Sequence, residues 1–281
     1  MRSIFIFTFL FIASFFCLHA EESTILVSVS PHKYFVERIA GDTVKVQVLV
    51  PTGASSHTFE PTPKLMISAS KASIWFMVGE GFEPRLRDAL KSHHPDMLFV
   101  NMREGVDMIT ASEGSCHCCH DANMQDMHIW LSPREVKAQA RTIAQTLEQK
   151  YPAHRDLYQK NLEAFIVELD ALDADIRHSL SNKSTNVIMV MHPAYAYFVR
   201  DYGLEQLSIE SEGKDPTPKQ MTSIIEKARR AHVKKIFIQP QYSSKGARLI
   251  AAEIGAEVVE LDPYSEDYMN SMRAIGQQFG S

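Results

Sequence analysis

Short apolar runs alternate along this chain with segments whose apolar residues recur at three- and four-residue spacing. In the first half, Ile25–Ser30, Val44–Val50, Ile74–Gly81 and Met97–Asn101 read as buried strands. In the second half, Asn186–His192, Glu205–Glu210, Lys234–Pro240 and Glu257–Asp262 repeat the pattern. Between them, Pro31–Gly41, Pro63–Ala72, Pro133–Lys150, Pro218–Ala231 and Ser243–Gly255 have helical spacing, several with proline at the start or glycine at the end. Strands alternating with helices at this length imply parallel sheets covered on both faces. The expected fold class is α/β, with one such lobe in each half.

The halves are separated by a different kind of segment. From about Pro152 to about Ser181, Leu157, Leu162, Phe165, Ile166, Leu169, Leu172, Ile176 and Leu180 fall on one helical face. This predicts one unbroken helix of roughly 30 residues, about 45 Å long, enough to cross a two-lobed molecule. Its apolar spacing drifts and keeps no strict heptad, which favours a single spine over a coiled-coil arm. The polar run Asn182–Asn186 marks its end. The layout that follows is a first lobe over 21–150, a backbone helix over 151–182 and a second lobe over 183–281.

Open parallel sheets bind ligands beyond the carboxyl ends of their strands, and the chemistry of this chain collects there. His57 lies in the proline-held loop PTGASSHTFEPTP after Val50, and His128 lies in QDMHIWLSP before a proline-initiated helix. His192 ends the strand NVIMVM, and Asp262 ends EVVEL. Three imidazoles and a carboxylate, two from each half, suffice for one tetrahedral divalent ion such as Zn²⁺ held between lobes. Asp262-Pro263 is also ordinary turn chemistry. Most of the 12 histidines read as inert: His93 and His94 in a polar loop, and His154, His178 and His232 on solvated helical surfaces.

Charge and address narrow the function. A net charge of −5 gives no basic surface for nucleic acid. Met1 to Ala20 has one arginine, an apolar run and a small residue at its end, the pattern of a cleaved secretory signal. Bulky Phe15 and Phe16 before Cys17 argue against lipid attachment there. The mature chain keeps Cys116, Cys118 and Cys119, all in the run SCHCCHD with His117 and His120. An odd number of cysteines in one short segment permits no long-range disulfide framework. The run reads as an auxiliary soft-metal loop, a local disulfide or a plain loop.

The stretches HTFEPTP at His57, VGEGFEPRL at Val78, MHIWLSP at Met127 and MHPAYAYFVRDYGL at Met191 occur in an order that resembles a known family. So does the run from DPTPKQM at Asp215 through IFIQPQYSS to LDPYSED at Leu261. The chain is similar to the metal-binding solute receptors of ABC importers, the TroA-like group, and within it to the zinc-uptake branch. The resemblance implies two α/β lobes on a rigid helical backbone, an ion buried between them, and a membrane permease with its ATPase as partners. It implies ligand roles for His57, His128 and His192, with Asp262 or water as the fourth. His192 stands where manganese receptors typically carry Glu, which favours zinc over manganese or iron as cargo. Ser56 stands where many enterobacterial zinc receptors have Glu, and SCHCCHD replaces their long His- and acid-rich loop.

The function expected is an extracytoplasmic zinc receptor, monomeric and without catalysis. A zinc-dependent hydrolase is the alternative from another class, and it lacks any H-E-x-x-H or comparable base-plus-ligand motif. A receptor for manganese or iron, or a surface adhesin with an incidental metal, are further alternatives.

Overall fold

The structure, a computed structural model, describes residues 23–110, 125–210 and 216–281. The leader over 1–20 and the run Cys116, His117, Cys118, Cys119 and His120 lie outside the described residues. Strands β1 (Thr24–Val27), β2 (Lys45–Val48), β3 (Ile74–Met77) and β4 (Leu98–Asn101) form one parallel sheet in the order β2-β1-β3-β4. Strands β5 (Val187–Val190), β6 (Glu205–Ser208), β7 (Lys235–Ile238) and β8 (Glu257–Glu260) form a second with the corresponding order β6-β5-β7-β8. Each strand overlaps an apolar run of the sequence but leaves the sheet early, and the residues that leave it carry the polar groups described below.

Nine helices cover the sheets among the described residues: α1 (Ser30–Ala40), α2 (Pro63–Ala69), α3 (Glu83–His93), α4 (Pro133–Lys150), α5 (Arg155–Ser179), α6 (Ala196–Tyr202), α7 (Pro218–Arg230), α8 (Lys245–Ile254) and α9 (Tyr268–Gly280). Their ends obey local chemistry. Ser132 accepts from the Glu135 amide ahead of Pro133, Thr217 and Gln220 make a reciprocal capping box on α7, and Gly255 closes α8 in the left-handed region at φ 72°. His93 is the last residue of α3 and not part of a polar loop.

The spine differs from its expected form at its start. Pro152–His154 is a 3₁₀ turn, and the α-helix proper runs from Arg155 for 25 residues, about 37 Å. No side chain caps it, and the preceding helix ends at Lys150, with the Tyr151 amide beyond it reaching Leu147 O. Leu157 points outward at 39% exposure. Tyr158 takes the inward position and pairs its hydroxyl with Thr43 Oγ1 at 2.9 Å.

The buried face of α5 (Tyr158, Phe165, Leu169, Leu172, Ile176) belongs to one continuous core with Phe35 and Trp130 of the first half and Tyr195, Phe237 and Phe279 of the second. Smaller clusters lie on the outer faces, around Trp75, Leu86 and Leu90 in the first lobe and Met189, Ile236 and Ile250 in the second. Helix α9 folds back along α5 so closely that a Cβ at Gly280 would run into Ser179 O. Arg38 makes a two-pronged contact with Glu168 of the spine, 3.0 and 2.5 Å. Arg200 of α6 reaches Glu135 of α4 at 2.6 Å, tying the second lobe to the first.

Phe165 packs against Tyr34 and Phe35, with ring centroids 5.9 and 5.8 Å away. Phe165→Ala is expected to lower the unfolding free energy by about 3–5 kcal/mol. Leu157→Ala, outside the core, should stay within about 1 kcal/mol of the parent; urea unfolding of both variants measures the contrast.

Candidate metal centre

Each sheet has a switch point, between β1 and β3 in the first and between β5 and β7 in the second. In the second lobe, β5 lies between β6 and β7, and its chain leaves the sheet at His192. Gln239, just after β7, clamps that residue on both sides: its side-chain oxygen accepts from His192 N at 3.0 Å and its amide donates to His192 O at 2.9 Å. Tyr242 lies flat on the imidazole, with centroids 4.0 Å apart and planes 11° from parallel.

His128 precedes a 3₁₀ turn, Ile129–Leu131, that leads into α4. A chain of polar contacts fixes this turn. His32 Nε2 donates to Gln139 Oε1 at 2.7 Å, and Gln139 Nε2 donates to Ile129 O at 3.1 Å. Trp130 reaches across to the second lobe and donates to Pro263 O at 2.8 Å. His57 lies in the 3₁₀ turn Ser56–Thr58, with its amide donating to Ser55 Oγ at 3.3 Å.

From these three turns the imidazoles converge. His57 Nε2 and His192 Nε2 are 3.3 Å apart, and His192 Nε2 and His128 Nε2 are 3.4 Å apart. A tetrahedral ion with Zn–N bonds of about 2.0–2.1 Å has ligand atoms about 3.3–3.4 Å from one another, so these spacings match a zinc edge. His57, His128 and His192 are the one cluster of three or more metal-capable His, Cys, Asp or Glu groups among the described residues. His128 and His192 are fully buried, and the His57 side chain keeps 9% exposure.

Each ring is backed by a buried carboxylate on its Nδ1 side. His128 Nδ1 donates to Asp126 Oδ1 at 2.9 Å, and His192 Nδ1 donates to Glu210 Oε1 at 2.7 Å. His57 Nδ1 lies 3.6 Å from Glu80 Oε2, an electrostatic contact and not a hydrogen bond. A proton held on Nδ1 leaves the Nε2 lone pair pointing inward, the arrangement that metal-binding histidines require. Burial, with the His128 and His57 rings adding to it, pushes the His192 pKa well below its ordinary value and keeps that ring neutral. Burial acts to raise the Glu80 carboxyl, but the His57 ring beside it and His128 nearby outweigh that and hold it below the usual range.

Glu80 is placed by its own turn. Glu83 accepts from Ser28 Oγ at 2.5 Å, Val78 N at 2.9 Å and Gly79 N at 2.7 Å, which folds residues 78–83 into a knot at the end of β3. Burial pushes Glu83 up to about 7 in spite of those donors. Gly79 adopts φ 103°, where a side chain would strike Met127 Sδ.

Of the four strand-end residues expected to bind a metal, the structure brings together His57, His128 and His192, and Asp262 does not join them. Its Oδ1 accepts from Gln241 Nε2 at 2.7 Å and from Tyr264 N at 2.9 Å, a turn of the kind Asp-Pro sequences form. Sequence reasoning passed over Glu80, Asp126, Glu210, Tyr242, Tyr264 and buried His32. A signal existed for some of them: Asp126 stands two residues before His128, and Glu210 ends an expected strand. His154, His178 and His232 are exposed, as expected.

The family model described as zinc-uptake complex component A, periplasmic, matches residues 25–280. A putative metal-binding protein of Chlamydia trachomatis serovar D is 31% identical over 281 residues, covering 98% of this chain and 99% of the relative. The high-affinity zinc uptake system protein ZnuA of Bacillus subtilis strain 168 is 28% identical over 85% of this chain and 77% of its own length. A crystal structure of ZnuA is similar with a TM-score of 0.86 and 36% identity, covering 92% of this chain and 98% of that one.

Removing the charge behind a ring should weaken ion binding without touching a ligand. Asp126→Asn and Glu210→Gln are expected to lower zinc affinity about 10- to 100-fold each. Glu80→Gln, at the longer contact, should cost less; competition against a zinc chelator orders the three.

Buried His32 gives a pH dependence to the metal-free protein. Burial, outweighing its contact with Gln139 and the nearby Glu80 carboxylate, lowers its pKa from 6.5 to about 4. Between those values the unfolded chain binds a proton that the folded chain refuses. Stability therefore declines as pH falls from 6.5 to 4, by on the order of 3 kcal/mol from this residue. His32→Asn should show a shallower decline than the parent when urea unfolding is followed across that range.

Proposed function

The chain belongs to the family of periplasmic zinc-uptake complex components, and we propose that it captures a zinc ion between its two lobes on His57, His128 and His192. It acts outside the cytoplasm as a receptor and not as an enzyme, and it delivers the ion to the permease and ATPase of an ABC importer. The observation that carries this reading is the convergence of three Nε2 atoms at 3.3 and 3.4 Å, two of them from fully buried rings.

The donor set speaks for zinc as cargo. Three imidazoles suit a borderline-soft ion, whereas manganese and iron(II) are better served by carboxylate oxygens. In this reading residues 1–20 direct export, residues 21–150 and 183–281 hold the ion from either side, and 151–182 keep the two apart at a fixed distance. The receptor works as a monomer. A cavity of about 560 Å³, lined by His57, Phe59, Met66, Phe82, Arg85 and Leu86 among others, opens onto His57 and gives the ion a way in.

His57→Ala, His128→Ala and His192→Ala should each weaken zinc binding by about 2 kcal/mol or more, roughly 30-fold, because each removes a ligand. Calorimetry on protein stripped of metal, followed by competition among zinc, manganese and iron(II), is the test. Unchanged zinc affinity in all three variants would end the reading, and preference for manganese would move the cargo.

A further inference from the structure

Asp262 does not join the three imidazoles, which leave one corner of a tetrahedron to fill, and a phenol hydroxyl lies beside one of them. Tyr264 is 5% exposed. Its hydroxyl lies 3.4 Å from His128 Nε2, the same separation as between His128 Nε2 and His192 Nε2. The residue is anchored on each side. Its amide donates to Asp262 Oδ1 at 2.9 Å, the carbonyl of Pro263 before it accepts from Trp130 Nε1 at 2.8 Å, and its ring packs on Trp130 with centroids 5.2 Å apart. Asp262 thus holds the backbone of Tyr264 and spends its Oδ1 on that task and on Gln241.

On the reading of this site as a zinc receptor, we propose that the hydroxyl oxygen of Tyr264 is the fourth donor to the ion, in the role the strand-end pattern gives to Asp262. Without the ion, the phenol O–H faces the lone pair of His128 Nε2. When the ion takes that lone pair, the phenol oxygen gives one of its own to the metal, and its proton turns to Ser56 Oγ, a buried acceptor 3.4 Å away. No proton leaves the site in this exchange. Ser56, immediately before the first ligand, then acts as the acceptor that lets a neutral phenol coordinate. The resulting set of three nitrogens and one neutral oxygen adds no charge of its own to the ion, and the compensating carboxylates stand one bond further out, behind the rings.

The test uses the full chain with Tyr264→Phe, Asp262→Asn and His128→Ala, read by zinc competition, by the visible spectrum of the Co²⁺-loaded protein and by the melting temperature without metal. Phe keeps the ring packing and removes only the oxygen. Asn keeps an oxygen that can accept from Gln241 and from the Tyr264 amide. Tyr264→Phe is expected to weaken zinc binding at least tenfold and to change the Co²⁺ bands, while Asp262→Asn stays within threefold of the parent with the parent spectrum. Both should melt with the parent. Parental Co²⁺ bands in Tyr264→Phe, whatever its affinity, would overturn the proposal, as would a tenfold loss in Asp262→Asn with Tyr264→Phe unaffected. If His128→Ala still loses the ion in either case, only the tyrosine assignment falls; if His128→Ala binds like the parent, the three-histidine site falls with it.

Discussion

Three imidazole lone pairs aimed at one point inside a protein repel one another and are cut off from water, so the rings stay there only if something behind them holds them. In this chain the holding groups are carboxylates: Asp126 behind His128, Glu210 behind His192 and Glu80 near His57. Each takes the Nδ1 side, and for His128 and His192 the hydrogen bond settles the tautomer and points Nε2 inward. A divalent cation is what turns the repulsion between the lone pairs into attraction. On the proposed reading, the site is costly when empty and favourable when filled.

That demand explains much of the architecture. A carboxylate and an imidazole can be held back to back at 2.7–2.9 Å only if they leave rigid elements. Both sheets give such elements at the switch point of the same strand order, and β5, β6 and β7 deliver His192, Glu210 and Gln239 side by side. The first lobe does it with a knotted turn at Glu83 and a short 3₁₀ turn at His128. A continuous core through α5 then keeps the two halves in register, because ligand atoms from opposite lobes must agree to a few tenths of an ångström. Trp130 adds a direct link by donating to Pro263 O across the gap.

The alternating strands and helices, the eight strand positions and the three histidines at strand ends were legible in the sequence because each rests on local chemistry: apolar runs, proline starts, and loops where a sheet gives out. What escaped reading depended on contacts between distant segments. Leu157 and Tyr158 are adjacent and both apolar enough to face inward; only the partner Thr43, far away in the chain, decides for Tyr158. Asp262 and Tyr264 share one turn, and the carboxylate looked the better ligand by type. The fold spends it on an amide two residues on, an outcome that Asp-Pro chemistry allows but does not require. Glu80 sat unremarked inside VGEGFEP because a glutamate in a glycine-rich turn ordinarily faces solvent, and its burial follows from the Glu83 knot. Helices α3, α6 and α9 were not singled out either; α6 and α9 take shape by packing on the spine and the core.

On the proposed reading of His57, His128 and His192 as ligands, the three rings are not held alike, and the difference bears on how a receptor both binds tightly and lets go. His128 and His192 are fully buried, hydrogen-bonded at Nδ1 and fixed by polar contacts to their backbones or turns. His57 keeps some exposure, borders the open cavity, has its carboxylate at 3.6 Å and stands in a short turn between proline-rich loop segments. It is the most accessible of the three rings. On the same reading, an ion arriving from the cavity side meets His57 before the two buried imidazoles.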